Sequence, residues 1–184
     1  METMTDKELN LLRYPIGKYN PLVEVTEELL NEWIQTIEQL PFNLRDLVGD
    51  FSEEQLATPY RPDGWTVRQT LHHIGDSHAN SYIRFKWTLT ENTPLIKAYD
   101  EAAWAELSDT REAPIELALD FIQALHAKWV YFLKGLNEEQ LNREYVHPDS
   151  GKKITLRKTI GMYAWHSEHH FAHIKHLAKR EGWI

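Results

Sequence analysis

The sequence has no cysteine. That excludes disulfides, thiolate metal ligands and a cysteine nucleophile, and it fits a reducing compartment. No apolar run approaches the roughly 18 residues that a transmembrane helix needs. Cationic charge is short as well. Twenty Lys and Arg stand against 28 Asp and Glu, a formal charge of −8. With no basic run, binding of nucleic acid through its phosphates is not expected. Residues 1–20 lack the basic start and apolar core of a secretory signal, so a soluble cytoplasmic protein is expected. Also missing are a strand-like alternation, a Gly-rich phosphate loop, a Gly-x-Ser-x-Gly elbow and the zincin motif His-Glu-x-x-His.

What is present is helical. The 184 residues suit one domain, 1–184, large enough to bury a full core. Seven Trp and eight Tyr predict large packed side chains or an aromatic-lined pocket. Residues 1–25, with Pro15, Gly17 and Pro21, show no sustained period and read as an irregular N-terminal arm. Thr26 caps a first long helix that Pro41 interrupts and Gly49 ends. A second runs from about Thr66 to Thr90, with Val67, Leu71, Ile74, Tyr82, Phe85 and Leu89 on its apolar face and His78 near the centre of that face. Residues 92–114 form the longest connection, of a length that often covers a site. A third helix spans about Ile115–Leu133, and a fourth about Thr155–Arg180.

The chain also repeats itself. Asn137-Glu-Glu-Gln-Leu141 matches Ser52-Glu-Glu-Gln-Leu56, and Tyr145 matches Tyr60. Thr155-Leu-Arg-Lys-Thr-Ile160 matches Thr66-Val-Arg-Gln-Thr-Leu71 after a small insertion. Each unit reads as helix, one-turn helix, loop, helix, so two units predict an all-α four-helix bundle with an internal helix-pair repeat.

Five of the ten histidines fall within residues 166–176. On a helical wheel the core face of the fourth helix holds Ile160, Ala164, Ser167, Phe171, Ile174 and Ala178. His170 lies about 80° from its centre and His166 about 120° to the same side, one turn apart, where two imidazoles can reach one ion. His173 lies slightly further round and leans toward solvent, as does His169. His169 and His176 point away from the core face, and His72 faces outward on the second helix. These three are read as surface residues. His126 and His147 are read as solvated or hydrogen-bonded. A third ligand must come from elsewhere. His73 occupies the matching flank of the second helix, where the repeat sets Ser77 opposite His166 and Ser81 opposite His170; His78 is the alternative. Three neutral imidazoles would leave a divalent ion its full charge and an open position, which is a catalytic pattern. The competing reading is an opportunistic metal-binding run without function. Arg84, on the His73 flank, could bind an anionic group, although a plain surface arginine is the commoner case.

The segment Pro62-Asp-Gly-Trp-Thr-Val-Arg-Gln-Thr-Leu-His-His-Ile-Gly-Asp-Ser-His78 resembles the YfiT group of metal-dependent hydrolases, within the DinB-like superfamily of four-helix bundles. So do Tyr163-Ala-Trp-His-Ser-Glu-His-His-Phe-Ala-His-Ile174 and the early Tyr14-Pro-Ile-Gly-Lys-Tyr19. The resemblance covers nearly the whole chain. It implies an unusual bundle topology, a homodimer, and one divalent metal per subunit, zinc or else nickel, on His73, His166 and His170. It implies a hydrolase of a small-molecule substrate, with metal-bound water as nucleophile. Related members are similar to S-transferases that use a low-molecular-weight thiol such as bacillithiol. A non-catalytic metal-binding stress protein is the third expectation.

Overall fold

Local chemistry sets where each helix starts. In the computed structural model, which describes residues 5–21 and 24–184, Thr26, Thr66 and Thr155 each accept a hydrogen bond from the backbone N–H three residues on. These caps satisfy donors that the first helical turn leaves open. The elements are α1 (Asp6–Arg13), α2 (Glu27–Val48), α3 (Glu53–Leu56), α4 (Val67–Thr90), α5 (Glu101–Ala105), α6 (Ser108–Glu112), α7 (Ile115–Lys134), α8 (Glu138–Leu141), β1 (Glu144–Val146), β2 (Lys153–Thr155) and α9 (Leu156–Arg180).

The repeat has a structural counterpart. Ser52 with Gln55 and Asn137 with Gln140 form reciprocal capping boxes that start α3 and α8. Ahead of each following helix the chain folds back in the same way: Val67 N–H donates to Thr58 O at 3.2 Å, and Leu156 N–H donates to Arg143 O at 3.0 Å. Two expectations are corrected. The arm is not irregular throughout, because Thr5 and Glu8 form a capping box that starts α1. The absence of strands also fails locally. In the first unit Pro59 and Thr66 make a single antiparallel bridge, whereas the insertion in the second extends the equivalent pair, Glu144 and Thr155, into a three-residue hairpin. Strands this short show no readable alternation.

The four long helices pack as a ring, α2 against α7 and α9, and α4 against α7 and α9. The apolar core falls into two halves. One gathers Ile34, Ile37, Phe85, Trp129, Ile160 and Ala164; the other gathers Leu40, Leu44, Leu71, Ile74, Ile122 and Ile174. Chain direction follows from the order in which each helix crosses them. α2 and α9 run from the first half to the second, and α4 and α7 run the opposite way. The neighbours α4 and α7 are therefore parallel, so residues 91–114 must travel the length of the bundle, which is why this connection is long. Backbone hydrogen bonds pin it to β1, Ile96 N–H to Val146 O at 3.1 Å and Val146 N–H to Pro94 O at 2.9 Å. No helix among the described residues is long and apolar enough to cross a membrane.

Candidate metal centre

Between the two apolar halves lies a layer of histidines. On α4, His73 and His78 stand between Leu71 and Phe85; on α7, His126 stands between Ile122 and Trp129; on α9, His166 and His170 stand between Ala164 and Ile174. His73, His78, His126 and His170 are buried and His166 is half-buried. Among the described residues, His73, His166 and His170 form a group in which one nitrogen from each ring lies within 4.8 Å of the others. Their ring centroids are 4.8 Å apart for His73 and His170, 4.5 Å for His166 and His170, and 5.4 Å for His73 and His166. The indole of Trp65, just ahead of α4, lies 4.5 Å from the His73 ring and 6.4 Å from the His170 ring.

Burial drives the state of these rings. It lowers the pKa of His73 to about 4, with a smaller contribution from His169. Burial, then neighbouring histidines, hold His78, His166 and His170 well below the ordinary value. All are therefore neutral at pH 7, and a neutral imidazole has one N–H and one lone pair.

The hydrogen bonds then dictate which nitrogen carries the proton. His126 Nδ1 lies 2.6 Å from the carbonyl oxygen of Ile37, which can only accept. His126 Nδ1 is thus the donor, and its Nε2 is the acceptor for His78 Nδ1–H at 2.8 Å. His78 Nε2 must in turn accept, and His166 Nδ1–H donates to it at 2.9 Å. A second chain reaches His170. His173 Nε2–H donates to the carbonyl of Arg13 at 3.2 Å, so its Nδ1 accepts from His170 Nδ1–H over a long 3.4 Å. Both chains end on a backbone carbonyl, and they leave Nε2 unprotonated on both His166 and His170. Ser77 Oγ stands 3.4 Å from His166 Nε2.

Three neutral imidazoles with converging nitrogens fit a divalent ion. Ligand nitrogens about 2.1 Å from one ion stand roughly 3.4 Å apart, a spread that small side-chain rotations reach from the one seen. His78, the alternative third ligand, lies instead behind His166 as its hydrogen-bond acceptor. The expected surface character of His169 and His173 is corrected. The arm covers that flank of α9, with the Tyr14 ring 6.1 Å from His169 and the Arg13 carbonyl on His173. His169 is 7% exposed and stacks on Trp165 at 4.4 Å. His72, expected to face outward, is half-buried; His176 is exposed. His126 is hydrogen-bonded but fully buried. Arg84 is not a surface arginine, being only 5% exposed.

Beside His166 opens a cleft of about 240 Å³, walled by Ser77, Arg84, Tyr99, Glu101 and Tyr163. The long connection supplies Tyr99 and Glu101, in keeping with its expected role as a cover. The sequence pointed to neither Trp65, Tyr99 nor Tyr163 as site residues. His126 carried one signal, its place on the apolar stripe of α7 one turn after Ile122.

A model of the DinB superfamily matches residues 36–174. The chain is 48% identical to "Putative metal-dependent hydrolase YfiT" of Bacillus subtilis, over 94% of this chain and 97% of that protein. A relative of the same description from Oceanobacillus iheyensis is 50% identical, over 93% of this chain and 98% of its own. The solved structure of the B. subtilis protein, described as having an unusual four-helix bundle topology, superposes with a TM-score of 0.92 over 95% of this chain and 99% of that one. Sequence, topology and helix placement agree along nearly the full length, and the chain belongs to the YfiT-like group of the DinB superfamily.

Proposed function

We propose that the protein is a metal-dependent hydrolase of small molecules, with one divalent ion, zinc in preference to nickel, held by His73, His166 and His170. One observation carries this: three neutral imidazoles converge beside an open cleft, with the donor nitrogens of two of them preset by hydrogen bonds. An ion held by three neutral ligands keeps its full charge and an open position, where it can lower the pKa of water toward about 7 and polarise a carbonyl. The chain's own residues do the rest. Trp65 and the apolar layers exclude bulk water from the ligand side. Ser77 can hold a polar atom of water or substrate near His166. Glu101, whose carboxyl burial pushes upward despite Arg84 nearby, can carry a proton within the cleft. The small cleft suits a small molecule, and the family's homodimer belongs to the same reading.

The test is elemental analysis of purified protein together with hydrolysis of 4-nitrophenyl acetate. About one ion per chain is expected, and activity that chelation abolishes and zinc restores. His73→Ala, His166→Ala and His170→Ala should each lose stoichiometric metal; if all three retain it, the assignment is wrong. Sedimentation should show a dimer.

The fully neutral donor set favours an anionic fourth ligand, and thiolate is one such group. This supports a second reading, a metal-dependent S-transferase using a bacillithiol-type thiol. Thiol-dependent consumption of monochlorobimane, with no ester turnover, would select it. Stoichiometric metal with neither activity would select a non-catalytic metal-binding protein.

A further inference from the structure

The far wall of the cleft holds a cation without a counter-ion. Arg84 lies eleven residues after His73 on α4, close to three helical turns, so the two share a face about 16 Å apart along the axis. Helical side chains lean toward the N-terminus, which carries the guanidinium back toward the histidines. Arg84 Nη1 lies 3.4 Å from the Tyr163 hydroxyl, one turn of α9 before His166. Its Nε is buried and makes no hydrogen bond. Among the described residues no carboxylate comes within ion-pair distance of it, and Glu101 feels its charge without contact.

A guanidinium 95% removed from solvent, with one long neutral hydrogen bond, is costly unless something anionic completes it. A second orphan faces the same space. The hydroxyl of Tyr99 is buried and completes no hydrogen bond of good geometry, although Ser77 is its polar neighbour. Burial raises its pKa, so it stays protonated and can donate.

We propose that this wall is a carboxylate subsite: the substrate carries a carboxylate that Arg84 and the Tyr99 hydroxyl bind, while its reacting group lies at the histidine end of the cleft. A single guanidinium matches one negative charge, and its fork fits a carboxylate. A phosphate dianion fits less well, because Glu101 and Asp149 line the same cleft. This rests on His73, His166 and His170 being the metal site.

The experiment uses full-length protein loaded with Co²⁺ and two series of probes, ω-mercaptocarboxylates from mercaptoacetate to 6-mercaptohexanoate and ω-mercaptoalcohols of equal length. Thiolate-to-cobalt absorption reports binding for both. At the best chain length the carboxylate should bind at least about tenfold tighter than the alcohol, the scale of a charge-assisted hydrogen bond. Arg84→Gln should remove that preference while leaving the alcohol's affinity within about twofold, and Tyr99→Phe should reduce it. Equal binding of both series at every length in the unsubstituted protein overturns the subsite, and so does a preference that survives in Arg84→Gln. If Arg84→Gln does not fold, Arg84→Lys is measured, and an unaltered length optimum and preference there overturns it. Failure of Co²⁺ to bind, or no thiolate band with any probe, instead strikes at the metal site itself.

Discussion

A histidine can donate a lone pair to a metal only through the nitrogen that lacks a proton. In this bundle that choice is made remotely, by the carbonyl of Ile37 acting through His126 and His78 on His166. His126→Phe removes the acceptor for His78 and frees both tautomers of His166. Zinc affinity, measured by competition with a chromophoric chelator, should fall by up to the roughly 10- to 100-fold that follows loss of a ligand's direct partner, since His126 acts on His166 through His78. Nitrogen NMR of the metal-free protein should show His166 losing its Nδ1–H preference. An unchanged affinity would mean that the chain of histidines only fills space. The His166/His170 spacing is legible along the chain but this relay is not, because a residue's hydrogen-bond partner across the bundle leaves no trace in its own helix.

At the scale of the element, two helical glycines have different reasons to be small. A Cβ on Gly161 of α9 would lie 2.6 Å from Cζ3 and Cη2 of Trp33 on α2, the helix α9 packs against. Gly161→Ala should therefore destabilise by about 1–3 kcal/mol in urea melts, because overpacking outweighs the roughly 1 kcal/mol that alanine gains in helix propensity. A Cβ on Gly75 of α4 would meet Cδ1 of Phe121 at 3.0 Å. Phe121 is 47% exposed and can give way. Gly75→Ala should stay within about 1 kcal/mol of the parent, since the two effects oppose. A result as severe as that for Gly161 would show that Phe121 is held in place. Helix limits were legible because threonine caps and flanking glycines are local. The hairpin and α1 were not, being too short for a period.

For the whole molecule, the histidine layer ties stability to pH. Burial holds His73, His126 and His169 at about 4 and His173 at about 3, against roughly 6.5 in an unfolded chain. The unfolded state thus binds more protons below pH 6.5, so stability rises with pH there. The contribution is fully present above about 6.5 and is lost as pH falls through the folded values. Urea midpoints of metal-free protein should be flat from pH 8 to 7 and fall steeply from pH 6.5 toward 4, with a slope above one proton. A slope near zero would show that these rings are not buried neutral. Zinc should raise the melting temperature at pH 7.5 and lose this effect in acid, because protons compete for the same nitrogens.

The motifs of the sequence resembled those of the family. By itself the sequence also determined the four long helices, their repeat and the i, i+4 pair His166 and His170. These follow from spacing along one chain, and spacing is what a helix converts into direction. The wheel of α4 likewise put His73 on the matching flank. Only the tertiary structure decided that His78 stands behind His166, that the arm covers His169 and His173, and that the 92–114 connection closes over Arg84. A wheel knows the direction of a side chain but not what lies in that direction. Burial, proton position and the missing counter-ion depend on neighbours that are distant in sequence, so they exist only once the bundle has closed.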